Sequence, residues 1–172
     1  MHTIVLVTGG FDPLHEGHIA YFKAAKAIAM EKDPEHGELW VGLNSQKWLT
    51  RKKGKPFHSL LTRETIVANL KMVDGTITYD DDDNSSINAI KMMKSIFDHE
   101  GPHTQQPLGK KPIKLIFANG GDRTALNIPE MKWAAVNDPS IIFEFGVGGE
   151  RKLNSSSHII LRHMEFPEKD HV

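Results

Sequence analysis

Thr3-Ile4-Val5-Leu6-Val7-Thr8-Gly9-Gly10-Phe11-Asp12-Pro13-Leu14-His15-Glu16-Gly17-His18 is the stretch that decides the reading of this chain. The run Thr3–Thr8 is apolar and β-branched, as in a strand buried on both faces. A glycine turn follows, and then a helix whose first turn holds two imidazoles. That order gathers backbone N–H groups, a helix N-terminus and two protonatable rings around one small volume, which suits a polyphosphate. With this composition, His-x-Gly-His arises by chance in roughly 5% of such chains. Its place at a strand-to-helix junction is therefore what makes it specific.

The bulk composition narrows the classes. A chain of 172 residues is one domain by size, 1–172, and long enough to bury a core. Net charge is −1, so nothing global points to nucleic acid or to a membrane surface. No cysteine is present, which excludes disulfides, thiolate zinc sites and a thiol nucleophile. The first residues enter a strand at once, and no run approaches the ~18 apolar residues of a membrane span. The expected compartment is the cytoplasm.

Outward from the opening strand, short apolar runs alternate with helical patterns. Leu39–Leu43, Thr76–Tyr79, Lys114–Ala118 and Ile141–Phe145 read as further strands. Helices are expected over Ile19–Met30, with Ile19, Phe22, Ala25 and Ala29 on one face, and from an N-cap at Thr62 through Met72, with Ile66, Leu70 and Val73 inward. Others are expected over Ser86–Phe97, over Pro129–Val136 and, to close the chain, over Ser155–Met164. This alternation predicts an α/β fold, a doubly wound five-stranded parallel sheet with ligands at the carboxyl ends of its strands. His99–Lys111 breaks the rhythm and reads as an exposed loop insertion.

Several polar clusters fall just after an expected strand. At the first, Gly9 and Gly10 would let the backbone approach a phosphate, and His15 and His18 would donate hydrogen bonds or positive charge to a phosphoryl centre. Beyond the second strand come Asn44, Ser45 and a basic stretch with Lys47, Arg51, Lys52, Lys53 and Lys55, read as a mobile loop that clamps a polyanion. No aromatic platform is read beside it, so a nucleic-acid surface is disfavoured. Arg63 is placed in the first turn of its helix, where a bound anion would relieve the repulsion of the helix dipole. Asn119-Gly120-Gly121-Asp122-Arg123 joins permissive backbone to a carboxylate suited to a base or ribose. Arg151 precedes Asn154-Ser155-Ser156-Ser157, whose hydroxyls and N–H groups open the last helix as an anion site. Asp80–Asp83 reads as a solvated loop rather than a metal site, and the other eight histidines as structural or exposed. Phosphate-loop, dinucleotide and nucleophile-elbow signatures are all missing from the sequence.

Taken together, these motifs resemble the cytidylyltransferase-like branch of the nucleotidyltransferases, which share His-x-Gly-His. Gly-Gly-Phe-Asp-Pro-Leu-His-x-Gly-His at 9–18 matches the opening signature, and Arg63 followed by Val73-Asp74 resembles the family's helix segment. Gly120-Gly121-Asp122 and Ser155-Ser156-Ser157-His158-Ile159-Ile160 resemble the Gly-Gly-Asp and terminal Ser-Thr-Thr-x-Ile-Ile of heptose-1-phosphate adenylyltransferases. Glycerol-3-phosphate cytidylyltransferases fit almost as well. Two departures are the length of the His99–Lys111 loop and the three serines in place of Ser-Thr-Thr. Phosphopantetheine and nicotinamide-mononucleotide adenylyltransferases share such serines, so the acceptor stays open.

The resemblance implies a Rossmann-like fold and transfer of CMP or AMP from an NTP to a small phosphate ester, with release of pyrophosphate. It implies His15, His18 and Lys53 as the catalytic set. Gly9, Gly10, Phe11, Asp12, Asn119, Gly120, Gly121, Asp122, Arg151, Ser155, Ser156 and Ser157 would join the two histidines on the nucleotide. Lys52, Lys55 and Arg63 would hold acceptor or donor phosphate. Mg²⁺ would accompany the NTP, with no tightly bound organic cofactor, no nucleic acid or membrane partner, and a homodimer as the favoured assembly. A non-catalytic nucleotide-binding protein and a fragment of a class I aminoacyl-tRNA synthetase are the other readings of the same motif.

Overall fold

The computed structural model describes residues 2–98, 113–121, 123, 124, 126, 128–149 and 156–165. Five strands form one parallel sheet in the order β3-β2-β1-β4-β5: β1 His2–Gly9, β2 Glu38–Leu43, β3 Gly75–Thr78, β4 Ile113–Ala118 and β5 Ile142–Glu144. Six helices cover it among the described residues: α1 Glu16–Lys32, α2 Gln46–Lys53, α3 Leu60–Ala68, α4 Ile87–Asp98, α5 Pro129–Asn137 and α6 Ser156–Glu165. This is the doubly wound, Rossmann-like α/β fold expected from the alternation of runs. The His99–Lys111 loop lies outside the described residues.

The central strand explains the layering. In β1 every residue from Thr3 to Val7 is buried, because successive side chains point to opposite faces and both faces are covered. Val5 and Val7 join Phe22, Ala25, Ala29 and Val67 on the face of α1 and α3. Ile4 and Leu6 join Ala89, Ile90, Met93 and Ala134 on the face of α4 and α5. The chain winds outward from β1 through β2 to β3, then returns to place β4 on the other side of β1. That reversal opens a crevice at the carboxyl ends of β1 and β4, where such sheets take ligands.

Three expectations are corrected. Ser59, not Thr62, caps α3: its hydroxyl accepts from the Thr62 N–H at 3.1 Å. The helix then stops at Ala68, so Leu70 and Val73 pack on the core from the turn after it, and Ile66 faces out while Val67 faces in. The basic stretch is helix α2 rather than a loop, capped by Ser45, whose hydroxyl accepts from Trp48 N–H at 3.0 Å. Gly54 closes it with φ of 80°.

Asp80–Asp83 is only partly a solvated loop. Asp81 is 0% exposed, and its carboxylate accepts from Ser45 N–H at 2.8 Å, from the Ser45 hydroxyl and from Asn44 Nδ2 at 3.0 Å. Arg51 Nη2 returns from the far end of α2 to the Asp81 carbonyl at 2.8 Å. The segment after β3 therefore fixes both ends of the helix after β2. Removing that carboxylate strands several buried donors, each worth about 1–3 kcal/mol. Asp81→Ala is expected to lower the unfolding free energy by about 3 kcal/mol in urea titration, and Asp81→Asn by about half as much. A loss within about 0.5 kcal/mol for the alanine variant, the range of surface substitutions, would rule out this anchoring.

Candidate active site

His15 and His18 take their positions from the start of α1. His15 is the N-cap, in extended conformation, and its Nδ1 accepts from the Gly17 N–H at 3.1 Å. A neutral His15 bonded in this way has its proton on Nε2, so the far end of the ring is a donor. His18, three residues on, stacks against it with centroids 3.7 Å apart and planes 26° apart. Phe11 meets His18 edge-on at 5.1 Å, from a backbone with φ of 48°. A Cβ on Gly9 would lie 2.7 Å from the Phe11 ring, and one on Gly10 2.7 Å from Leu49 Cδ2. These glycines thus admit the molecule's own packing under the site.

Burial first, then the adjacent His15, then the Lys53 ammonium push the His18 pKa down from 6.5 to about 3. His18 is therefore neutral at pH 7, and it offers a hydrogen bond rather than a charge. Its Nδ1 is buried with no partner among the described residues.

The two rings open on a cleft of about 290 Å³ at the β1/β4 crevice. Of the expected site residues, Gly9, Gly10, Phe11, His15, His18, Lys52, Gly120 and Gly121 line it. One wall comes from the β2 side, with Asn44, Trp48 and Lys52; the other comes from Gly120, Gly121, Arg123 and Val147–Gly149. Tyr21 braces that second wall by donating its hydroxyl to the Ala118 carbonyl at 2.6 Å, and burial raises its pKa. Gly148, at φ of 89°, lies so close to Tyr21 that a Cβ would stand 2.8 Å from its Cα.

Other expected site residues are engaged elsewhere. Arg63 is 1% exposed, and its Nη1 donates to the carbonyls of Gly10 and Asn44, both at 2.9 Å. Its guanidinium bridges backbone where an anion was expected. The Asp12 carboxylate, also 1% exposed, accepts from the N–H groups of Phe57 at 2.7 Å and His58 at 2.8 Å, so it holds a loop instead of facing the cleft. Lys53 donates to the Asp12 carbonyl at 2.8 Å, and burial lowers its pKa. Lys55 is exposed beyond the end of α2 and is not part of the cleft lining. Asn119 is buried, with its N–H on the Glu144 carbonyl and its own carbonyl accepting from Val147 N–H at 3.1 Å. Ser156 donates its hydroxyl to the Pro13 carbonyl at 3.0 Å, which brings the start of α6 beside the histidine turn. Asp122, Arg151, Ser155 and the Ser157 side chain lie outside the described residues.

Sequence reasoning missed Thr8, Tyr21 and Trp48. Tyr21 sits on an expected helix, where an aromatic reads as core. The one available signal was the i, i+4 spacing of Trp48 and Lys52, hidden because that stretch was read as a loop.

Comparison with known proteins accords with this geometry. A family model described as cytidylyltransferase-like matches residues 6–137. Bifunctional protein HldE of Sulfurimonas denitrificans is 31% identical over 136 residues, covering 75% of this chain and 27% of that protein. HldE of Actinobacillus succinogenes is 28% identical over 126 residues, covering 72% of this chain and 24% of that protein. The chain thus spans about a quarter of the length of these curated relatives. Among solved structures, the lipopolysaccharide core biosynthesis protein from Thermoplasma volcanium GSS1 is similar with a TM-score of 0.52 and 26% identity. That match covers 84% of this chain and 94% of the other.

The depressed His18 pKa links stability to pH. Between about 3 and 6.5 the unfolded chain binds a proton at this residue that the folded chain refuses, so stability falls as pH falls through that window. From pH 7 to pH 5 the wild type is expected to lose about 2 kcal/mol more than His18→Asn in urea titrations. Equal losses in the two proteins would mean that His18 titrates as a solvated imidazole.

Proposed function

The chain belongs to the cytidylyltransferase-like family, and from that premise we propose that it passes CMP or AMP from an NTP to a small phosphate ester, releasing pyrophosphate. The acceptor class is a sugar 1-phosphate or glycerol 3-phosphate. The description of one solved relative as a lipopolysaccharide core biosynthesis protein supports a phosphorylated sugar. The observation that carries the proposal is the stacked pair His15–His18 at the N-terminus of α1, facing the crevice at the sheet's switch point.

An oxygen of the acceptor phosphate attacks the α-phosphorus, the bond from that phosphorus to the bridging oxygen breaks, and pyrophosphate leaves. A phosphate monoester is already an anion near pH 7, so its oxygen needs no general base. What the step needs is in-line placement and compensation of the charge that builds on the α-phosphoryl oxygens. A neutral His18, with His15 beside it, supplies hydrogen-bond donors to that charge without first repelling bound cations. An arriving triphosphate would also raise the His18 pKa, because nearby negative charge favours the protonated ring.

The nucleotide lies against Gly9, Gly10 and the wall of Gly120, Gly121 and Val147–Gly149, where backbone groups read the base. Lys52 serves phosphate on the β2 side, and Lys53 acts on the site through its field at His18. Arg151 and the serines of 155–157 remain candidates for the β- and γ-phosphates, and the Ser156–Pro13 contact supports a place for α6 beside the histidine turn. Among the described residues no three His, Asp or Glu side chains converge to hold a metal ion. Mg²⁺ is proposed as the counter-ion of the triphosphate, whose charge it would offset.

The test is pyrophosphate release from ATP, CTP, GTP and UTP, each crossed with heptose 1-phosphate, glycerol 3-phosphate, nicotinamide mononucleotide and phosphopantetheine. Release is expected with one pair, and His18→Ala should lower its kcat by about a hundredfold or more, the scale of losing one preorganised donor. A fall of less than threefold in a folded variant would remove His18 from the chemistry. Binding of an NTP with no release from any pair would leave a nucleotide-binding protein without this reaction.

A further inference from the structure

Trp48 lines the cleft, yet the transfer chemistry above gives it no part. It stands on α2 one turn before Lys52, whose Nζ lies 4.5 Å above the centre of the indole. Both side chains reach the cleft from the β2 wall. The indole sits beside the Gly10 backbone, where a Cβ would come within 3.6 Å of its Cζ3. The helix beneath is fixed by the Ser45 cap and by Arg51 on the Asp81 carbonyl. The next lysine, Lys53, turns away to the Asp12 carbonyl, so of this pair only Lys52 lines the cleft.

A lysine side chain has four carbons of rotational freedom, and ordering it opposes the gain from one ion pair. An aromatic face beneath the ammonium removes much of that freedom before any ligand arrives. We propose that Trp48 is a positioning residue: its indole holds the Lys52 ammonium over the β2 side of the cleft, where that ammonium pairs with the phosphate of the acceptor. The assignment to the acceptor rests on the transfer reading above, in which the nucleotide occupies the opposite, glycine-rich wall.

Two measurements separate this proposal from the transfer reading. In the first, inorganic phosphate is the probe, and the indole N–H resonance of Trp48 is followed by NMR, assigned by its loss in Trp48→Phe. Phosphate is expected to shift that resonance in the wild type and to leave it still in Lys52→Ala. A shift that survives in Lys52→Ala, or none in the wild type, overturns the proposal. The second uses the substrate pair found by pyrophosphate release. Trp48→Leu should raise the acceptor KM about fivefold, the scale of a cation–π contact to an exposed lysine, and move the NTP KM less than twofold. Trp48→Phe should recover most of that loss. Trp48→Leu combined with Lys52→Ala should be no worse than Lys52→Ala alone, because the two act as one unit. Additive losses, or a rise confined to the NTP KM, overturn it. A phosphate-dependent Trp48 shift in a protein that releases no pyrophosphate would sink the transfer reading and leave the phosphate site standing.

Discussion

One buried cation holds the two halves of the site together. Arg63 Nη1 donates to the carbonyl of Gly10, just past β1, and to the carbonyl of Asn44, just past β2. The histidine turn and the base of α2 therefore cannot separate without leaving a guanidinium buried and short of acceptors, which is among the costlier defects a fold can contain. Burial lowers the Arg63 pKa, while the fields of Asp12 and Asp81 work against that fall. Each of those carboxylates ties down a neighbour in turn: Asp12 the 57–58 backbone, and Asp81 the start of α2. Arg63 and Asp12, expected as ligand contacts, and Asp81, expected in a solvated loop, are in effect the framing of the cleft.

That framing explains which parts of the molecule the sequence makes legible. Strands β1 to β5 are visible because a doubly covered parallel sheet needs uninterrupted apolar runs, and such runs have few other uses. The histidine turn is visible because glycine, proline and two imidazoles coincide at a strand end. Arg63, Asp12 and Asp81 are opaque for the opposite reason. A charged side chain reads the same whether its partner is a ligand or a backbone group far along the chain. Helix α2 is hidden by its own cations and by Gly54 and Pro56, which punctuate it as a loop would. What makes it a helix is the Ser45 cap, Leu49 buried against Gly10, and the tie to Asp81. The last two depend on β1 and on the segment after β3, which no local pattern contains.

The site balances two electrostatic demands. A polyanion needs positive potential to enter, yet a permanently charged histidine pair at 3.7 Å would repel itself and the nearby lysine. Burial, the adjacent His15 and the Lys53 field resolve this by keeping His18 neutral. Charge then stays on Lys52 and Arg123 along the cleft walls, and hydrogen-bond donors stay at its centre. The arrangement becomes more polarised as negative charge arrives, which is the order that the proposed transfer to an α-phosphorus would require.

The folded state of α2 changes what its lysines can contribute. Cations on a mobile loop would first have to be ordered by the substrate, and that ordering would be drawn from binding free energy. On a capped helix pinned at Ser45, Leu49 and Arg51, most of the ordering is done during folding. Positive charge then meets the substrate at fixed distances from the histidine pair. More of the interaction is left to act where charge develops in the transition state. Neither Asp81 nor Arg63 lines the cleft, yet each holds residues that do, Asn44 and Gly10, and so sets how much of each cation's attraction would be available to the proposed reaction.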